Sequence, residues 1–95
     1  MDTLRNVLIN EWSTYFTEEE EMNITFIISQ NEIHIHKDTD ILMGIIYPVN
    51  NRIMIDLSRC KMDYFRSSLS YFLVKVISSI WIGRPILIAG TGNFY

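Results

Sequence analysis

Leu4, Val7, Leu8, Trp12, Tyr15 and Phe16 recur three and four positions apart. That spacing predicts an amphipathic helix, which Asp2 or Thr3 can cap and which ends near Thr17. The pattern then changes period. "MNITFIIS" (22–29) is short and rich in β-branched residues, "QNE" reads as a turn, and "EIHIHK" alternates apolar with polar, so the two runs predict a hairpin. "DTD" (38–40) predicts the next turn and "ILMGIIY" a third strand. "PVNN", with Pro48 and Asn50-Asn51, predicts another turn, followed by "RIMIDLS" as a fourth strand. Helical spacing returns with Phe65, Leu69, Phe72, Leu73, Val76, Ile80 and Trp81. Gly83 and Pro85 end that helix, and "PILIA" is a last, continuously apolar strand.

The expected fold class is therefore α+β: an N-terminal helix, a four-stranded mainly antiparallel meander, a second helix, and a final strand joining the sheet. Short turns favour the meander, and a return through a helix favours a parallel addition by a right-handed crossover. The unbroken apolar run of "PILIA" predicts a buried, central strand. "ILMGIIY" reads as a candidate edge, open to a strand from a second copy or a partner. With 95 residues and no linker or repeat, residues 1–95 are expected to form one domain.

Composition narrows the function classes. Cys60 is the only cysteine, so no internal disulfide can form, and a reducing, cytoplasmic setting is expected. "MDTLRN" lacks a charged-then-apolar leader pattern. The apolar stretch 69–82 carries Lys75 and serines, so it does not read as a membrane span. The formal net charge is −3, against the basic face that phosphate binding requires. Arg52, Arg59, Lys61 and Arg66 make only a local basic cluster. The balance points to a basic or neutral protein partner, with no direct nucleic-acid or membrane partner.

Four motifs hold candidate chemistry. In "NEIHIHKD", alternation puts Ile33 and Ile35 on one side and Glu32, His34, His36 and Asp38 on the other. An H-x-H pair on a strand can contribute to a zinc site, but no cysteine or further histidine completes the set. The expected reading is the polar side of a strand, a surface for a partner, with no metal and no cofactor. In "CKMDYFRS", Cys60 and Arg66 have the spacing of the cysteine-phosphatase loop and lie between a strand and a helix. Met62, Tyr64 and Phe65 are too bulky for backbone amides to curl round a phosphate, and Asp63 repels an anion. A small cysteine-dependent phosphatase is the weakest reading. "GTG" (90–92) has no helix after it to hold a nucleotide phosphate. The run Glu18, Glu19, Glu20, Glu21 follows a helix end, where the dipole already disfavours negative charge. Such a run gains most if it steers a basic partner, and Glu32, Asp38 and Asp40 extend it as one acidic patch.

Two resemblances bear on this. Residues 53–89 resemble the strand–helix–strand half of STAS domains through Asp56-Leu57-Ser58, the pair Ser67 and Ser68, and Gly83-Arg84-Pro85. That resemblance implies a regulatory switch in which Ser67 or Ser68 is phosphorylated. The chain departs from it at Arg66, where an aspartate is usual, and in its N-terminal half. In general character (small, acidic, α+β, with the Ile- and Asn-rich, Ala-poor usage of an AT-rich gene) the chain also resembles bacterial immunity proteins of contact-dependent and other polymorphic toxin systems. This implies a non-enzymatic, cytoplasmic inhibitor that neutralises a basic toxin domain, such as a nuclease. Its contact residues would be Glu18, Glu19, Glu20, Glu21, Glu32, His34, His36, Asp38 and Asp40, with carboxylates standing in for phosphates.

Overall fold

The computed structural model describes residues 1–16 and 23–90. Its elements are helix α1 (Asp2–Tyr15), strands β1 (Ile24–Ser29), β2 (Glu32–Lys37), β3 (Ile41–Val49) and β4 (Arg52–Asp56), helix α2 (Asp63–Ile80) and strand β5 (Ile86–Ala89). The strands form one sheet in the order β1-β2-β3-β4-β5. The first four pair antiparallel as a meander, and β5 adds in parallel to β4. The chain is thus α+β, with the expected element order and a mixed sheet.

The turns explain the meander. Gln30-Asn31 and Asn50-Asn51 each join paired strand ends through two residues at positive φ. This is the signature of a type I′ turn, whose twist matches that of the strands, and asparagine tolerates it well. The β2–β3 connection is Asp38-Thr39-Asp40, with Asp38 and Thr39 also at positive φ. Thr39 is β-branched and strained there, and its carbonyl accepts a hydrogen bond from His36 Nδ1 at 3.0 Å. Pro48, expected in a turn, instead pairs with Ile53 near the end of β3. The turn needs only the two asparagines.

Both helices pack on one face of the sheet. Leu4, Leu8 and Trp12 from α1, its C-cap Phe16, and Phe65, Leu69, Phe72, Leu73, Val76 and Ile77 from α2 join the sheet residues in one core. Ile33, Ile35, Ile46, Ile53 and Ile55 are the sheet's contribution, each fully buried. Trp12 organises the junction of α1, α2 and β1: it stacks on Phe16 with 4.1 Å between ring centroids and meets Phe26 and Phe72 edge-on. Neither Asp2 nor Thr3 caps α1; Met1 is the N-cap and no side chain bonds the free amides.

Two close approaches shape the sheet. A register shift after Ile35 gives β3 one extra residue against β2, turning both Met43 and Gly44 inward. A Cβ on Gly44 would lie 2.7 Å from Leu57 Cδ2 and 3.1 Å from the Asp56 carbonyl oxygen, so only glycine leaves room for Leu57. At the end of β5, Gly90 has φ +77° and lies against the Ser58 backbone, where a Cβ would come within 2.2 Å of Ser58 N. This contact explains the first glycine of "GTG" without a ligand.

Two strand positions differ from expectation. β3 is the central strand, not an edge, and β5 is an edge strand with Leu87 and Ile88 exposed, not a buried central one. The cause is topological. Within a meander one side of β4 is taken by β3, so a strand crossing over in parallel finds only β4's outer side.

Candidate functional site

β2 positions the histidine motif. Its alternation buries Ile33 and Ile35 and sets Glu32, His34 and His36 half-buried on the opposite side of the sheet. There His34 Nε2–H donates to Glu32 Oε1 at 2.9 Å, while His36 Nδ1–H donates to the Thr39 carbonyl. The two rings lie 6.3 Å apart, centroid to centroid. Each imidazole therefore has a local partner that fixes its orientation. Among the described residues no group of three or more His, Cys, Asp or Glu side chains is arranged to hold a metal ion.

Asp38 does not continue the strand face. Its positive φ places it in the turn with Asp40, both exposed. Glu32 starts β2 and Asp38 follows its end, a separation of about 20 Å at ~3.3 Å per residue. The expected single acidic patch is therefore two features: a Glu32–His34 pair near one end of β2, and an Asp38–Asp40 turn at the other. Glu18, Glu19, Glu20 and Glu21 lie outside the described residues. Asn23, two positions after Glu21 in the sequence, accepts the Asp38 amide through its carbonyl at 3.2 Å. The turn therefore adjoins the chain just after the acidic run. The nearest counter-charge is Lys37, with Nζ 3.9 Å from Asp38 Oδ2.

The sequence marks Glu32, His34 and His36 as a surface for a partner, but not the apolar residues that share their sheet face. No described element covers it. Ile27, His34, Ile45, Asp56 and Ala89 form a row straight across the five strands. The next row holds Ser29, Glu32, Tyr47, Met54 and Leu87, with Val49 and Arg52 beyond it. The signal lay in "ILMGIIY" and "RIMID": once Ile46, Ile53 and Ile55 face the core, Ile45, Tyr47 and Met54 must face away.

The Cys60 region is built for structure. Cys60 is fully buried, with Sγ 3.9 Å from the Met62 carbonyl oxygen. Arg66 donates to the Cys60 carbonyl at 2.8 Å and also pairs with Asp63. The guanidinium thus stitches the start of α2 to the preceding loop. Asp56 acts similarly one turn earlier: its Oδ1 accepts from the Ser58 amide and hydroxyl at 3.0 and 2.7 Å.

Ser67 is exposed and Ser68 half-buried in the second turn of α2. They line an open cleft of about 410 Å³ together with Tyr15, Phe16, Tyr71 and Phe72. Lys75 stands nearby, its Nζ 5.8 Å from the Tyr15 ring centroid and 5.7 Å from that of Tyr71. The Tyr15 phenol, then that of Tyr71, raises the Lys75 pKa above its ordinary 10.5, so the amine stays cationic. Among the described residues no helix is long and apolar enough to cross a membrane. Comparison with family models, curated proteins and solved structures gives no match.

Proposed function

We propose that the protein is a non-catalytic, cytoplasmic binding protein that holds a basic protein partner through the acidic end of its sheet, in the manner of an immunity protein neutralising a toxin domain. The observation that carries this reading is the Asp38–Asn23 hydrogen bond. It joins the Asp38–Asp40 turn to the chain position two residues after Glu21. Both described acids there are exposed, and Lys37 offsets them only loosely. Exposed like charges destabilise a monomer slightly, and their gain is electrostatic steering of an oppositely charged partner. Binding is favoured over phosphate chemistry because Cys60 is buried and Arg66 is already engaged by Asp63 and a carbonyl.

The test is capture of partners from cells that carry the gene, followed by binding kinetics with the purified partner. A single stoichiometric partner with a basic contact domain is expected. Its association rate should fall about tenfold or more when Glu18 to Glu21 become serine and Asp38 and Asp40 become asparagine, and should fall steeply with salt. Equal kinetics for the variant would remove the acidic end from the interface.

A second reading rests on a different observation: β4 and β5 are parallel neighbours joined by α2, and Ser67 is exposed near the start of that helix. This suits the STAS-like switch. Phosphate on Ser67 or Ser68, found by mass spectrometry of protein from its own cells, would support it.

A further inference from the structure

We infer that the face of the sheet that no described element covers is a self-association surface and that its occupant is a second copy of this chain. The charge pattern across the central three strands carries the inference. β3 is the middle strand and presents Ile45, Tyr47 and Val49 on this face, all uncharged. On one side of it β2 presents Glu32 and His34; on the other, β4 presents Arg52 and Asp56. A two-fold axis along β3, lying between two facing sheets, superposes β2 of one copy on β4 of the other. It keeps each row opposite itself.

Under that operation His34 faces Asp56 of the second copy, an imidazole against a carboxylate. Glu32 faces Met54 of the second copy. Arg52 of the second copy lies one side-chain step further along its strand, about 7 Å away and within the reach of an arginine. Each pair occurs twice because the axis is two-fold. Glu32 and His34 already bond each other through Oε1 and Nε2, which leaves Glu32 Oε2 and His34 Nδ1 for the second copy. Arg52 is exposed and has no ion-pair partner among the described residues, and both hydrogen bonds of Asp56 use Oδ1, leaving Oδ2. Ile45 and Tyr47 would meet their own counterparts at the axis, with Met54, Ile27 and Leu87 around them. Aligned sheets cross at about 30°, which displaces neighbouring-strand residues by only ~2–3 Å and preserves both pairings.

Size agrees with this occupant. Five strands ~4.8 Å apart and about 17 Å long give a face of roughly 400 Å² in projection. That projection is about half of the ~800 Å² per partner of a standard interface, which suits a weak, reversible dimer. The acidic end at Asp38 and Asp40 lies in the β2–β3 turn, outside this face, so a dimer leaves it open.

Sedimentation equilibrium of the full chain from about 1 to 200 µM at low salt is the test. The expected result is a reversible dimer. Glu32→Arg alone places two arginines together, and Arg52→Glu alone places two acids together; each should weaken the dimer about 10- to 30-fold. An equimolar mixture of the two variants should re-associate, because in the mixed dimer every facing pair is again opposite in charge. Re-association also shows that both variants are folded. A wild-type chain that stays monomeric at 200 µM overturns the inference. So does a mixture no tighter than either variant alone.

Discussion

The two faces of this sheet come from the same strands, yet only one is a core. On the helix side, Ile33, Ile35, Ile46, Ile53 and Ile55 are all at 0% exposure. On the other side, Ile27, Val49 and Leu87 retain 42%, 37% and 37%, and Ile45, Tyr47 and Met54 are half-buried. The side chains are similarly apolar; the difference is what stands over them. Two helices, pinned by the Trp12–Phe16–Phe72 cluster, cover the first face. Stability is therefore concentrated on one side, and the apolar residues on the other are available for association.

Truncation on the covered face should show the contrast most strongly. Ile55→Ala removes three carbons from a site with no exposure, in the core that the sheet shares with both helices, and should cost about 2–5 kcal/mol in urea unfolding followed by circular dichroism. A cost below about 1 kcal/mol would mean that this face is loosely packed.

Adding volume probes the same face from the opposite direction. Gly44→Ala brings a methyl against buried Leu57 and the Asp56 carbonyl, so Leu57 must rotate or β4 must shift. The expected loss is about 1–3 kcal/mol, read as a lower melting temperature and a lower urea midpoint. If the variant matches wild type, the β3–β4 approach has slack and the glycine is not required by packing.

The contrast also marks what could be read from the chain. Period separated helices from strands, and Gln30-Asn31, Asp38–Asp40 and Asn50-Asn51 marked the three hairpins, so element order and α+β class were legible. Burial of a continuous apolar run was not. "ILMGIIY" and "PILIA" look alike, but β3 is central and β5 is an edge because β3 already occupies one side of β4, so a strand added parallel to β4 must lie on its outer side. The acidic site was legible only in part. Glu32 and Asp38 look close in sequence, yet an extended strand carries them to opposite ends of β2, while the register of the β1–β2 hairpin returns Asp38 to Asn23. A run such as Ile45-Ile46 reads as burial on both sides, whereas the structure buries only Ile46 fully and leaves Ile45 on the open face.

Ile45→Thr makes the smallest predicted change and isolates the open face most directly. Threonine keeps the β-branch, so strand preference and χ1 stiffness are nearly unchanged, and what is lost is apolar area. Measured at a concentration below the dimer's dissociation constant, the cost should be about 0.5–1 kcal/mol, because Ile45 is only half-buried. At high concentration the same substitution should weaken self-association, since Ile45 sits at the two-fold axis. Stability loss and association loss are then separable by concentration alone. A cost near that of Ile55→Ala at low concentration would mean that Ile45 is packed as a core residue within one chain, and the contrast between the two faces would disappear.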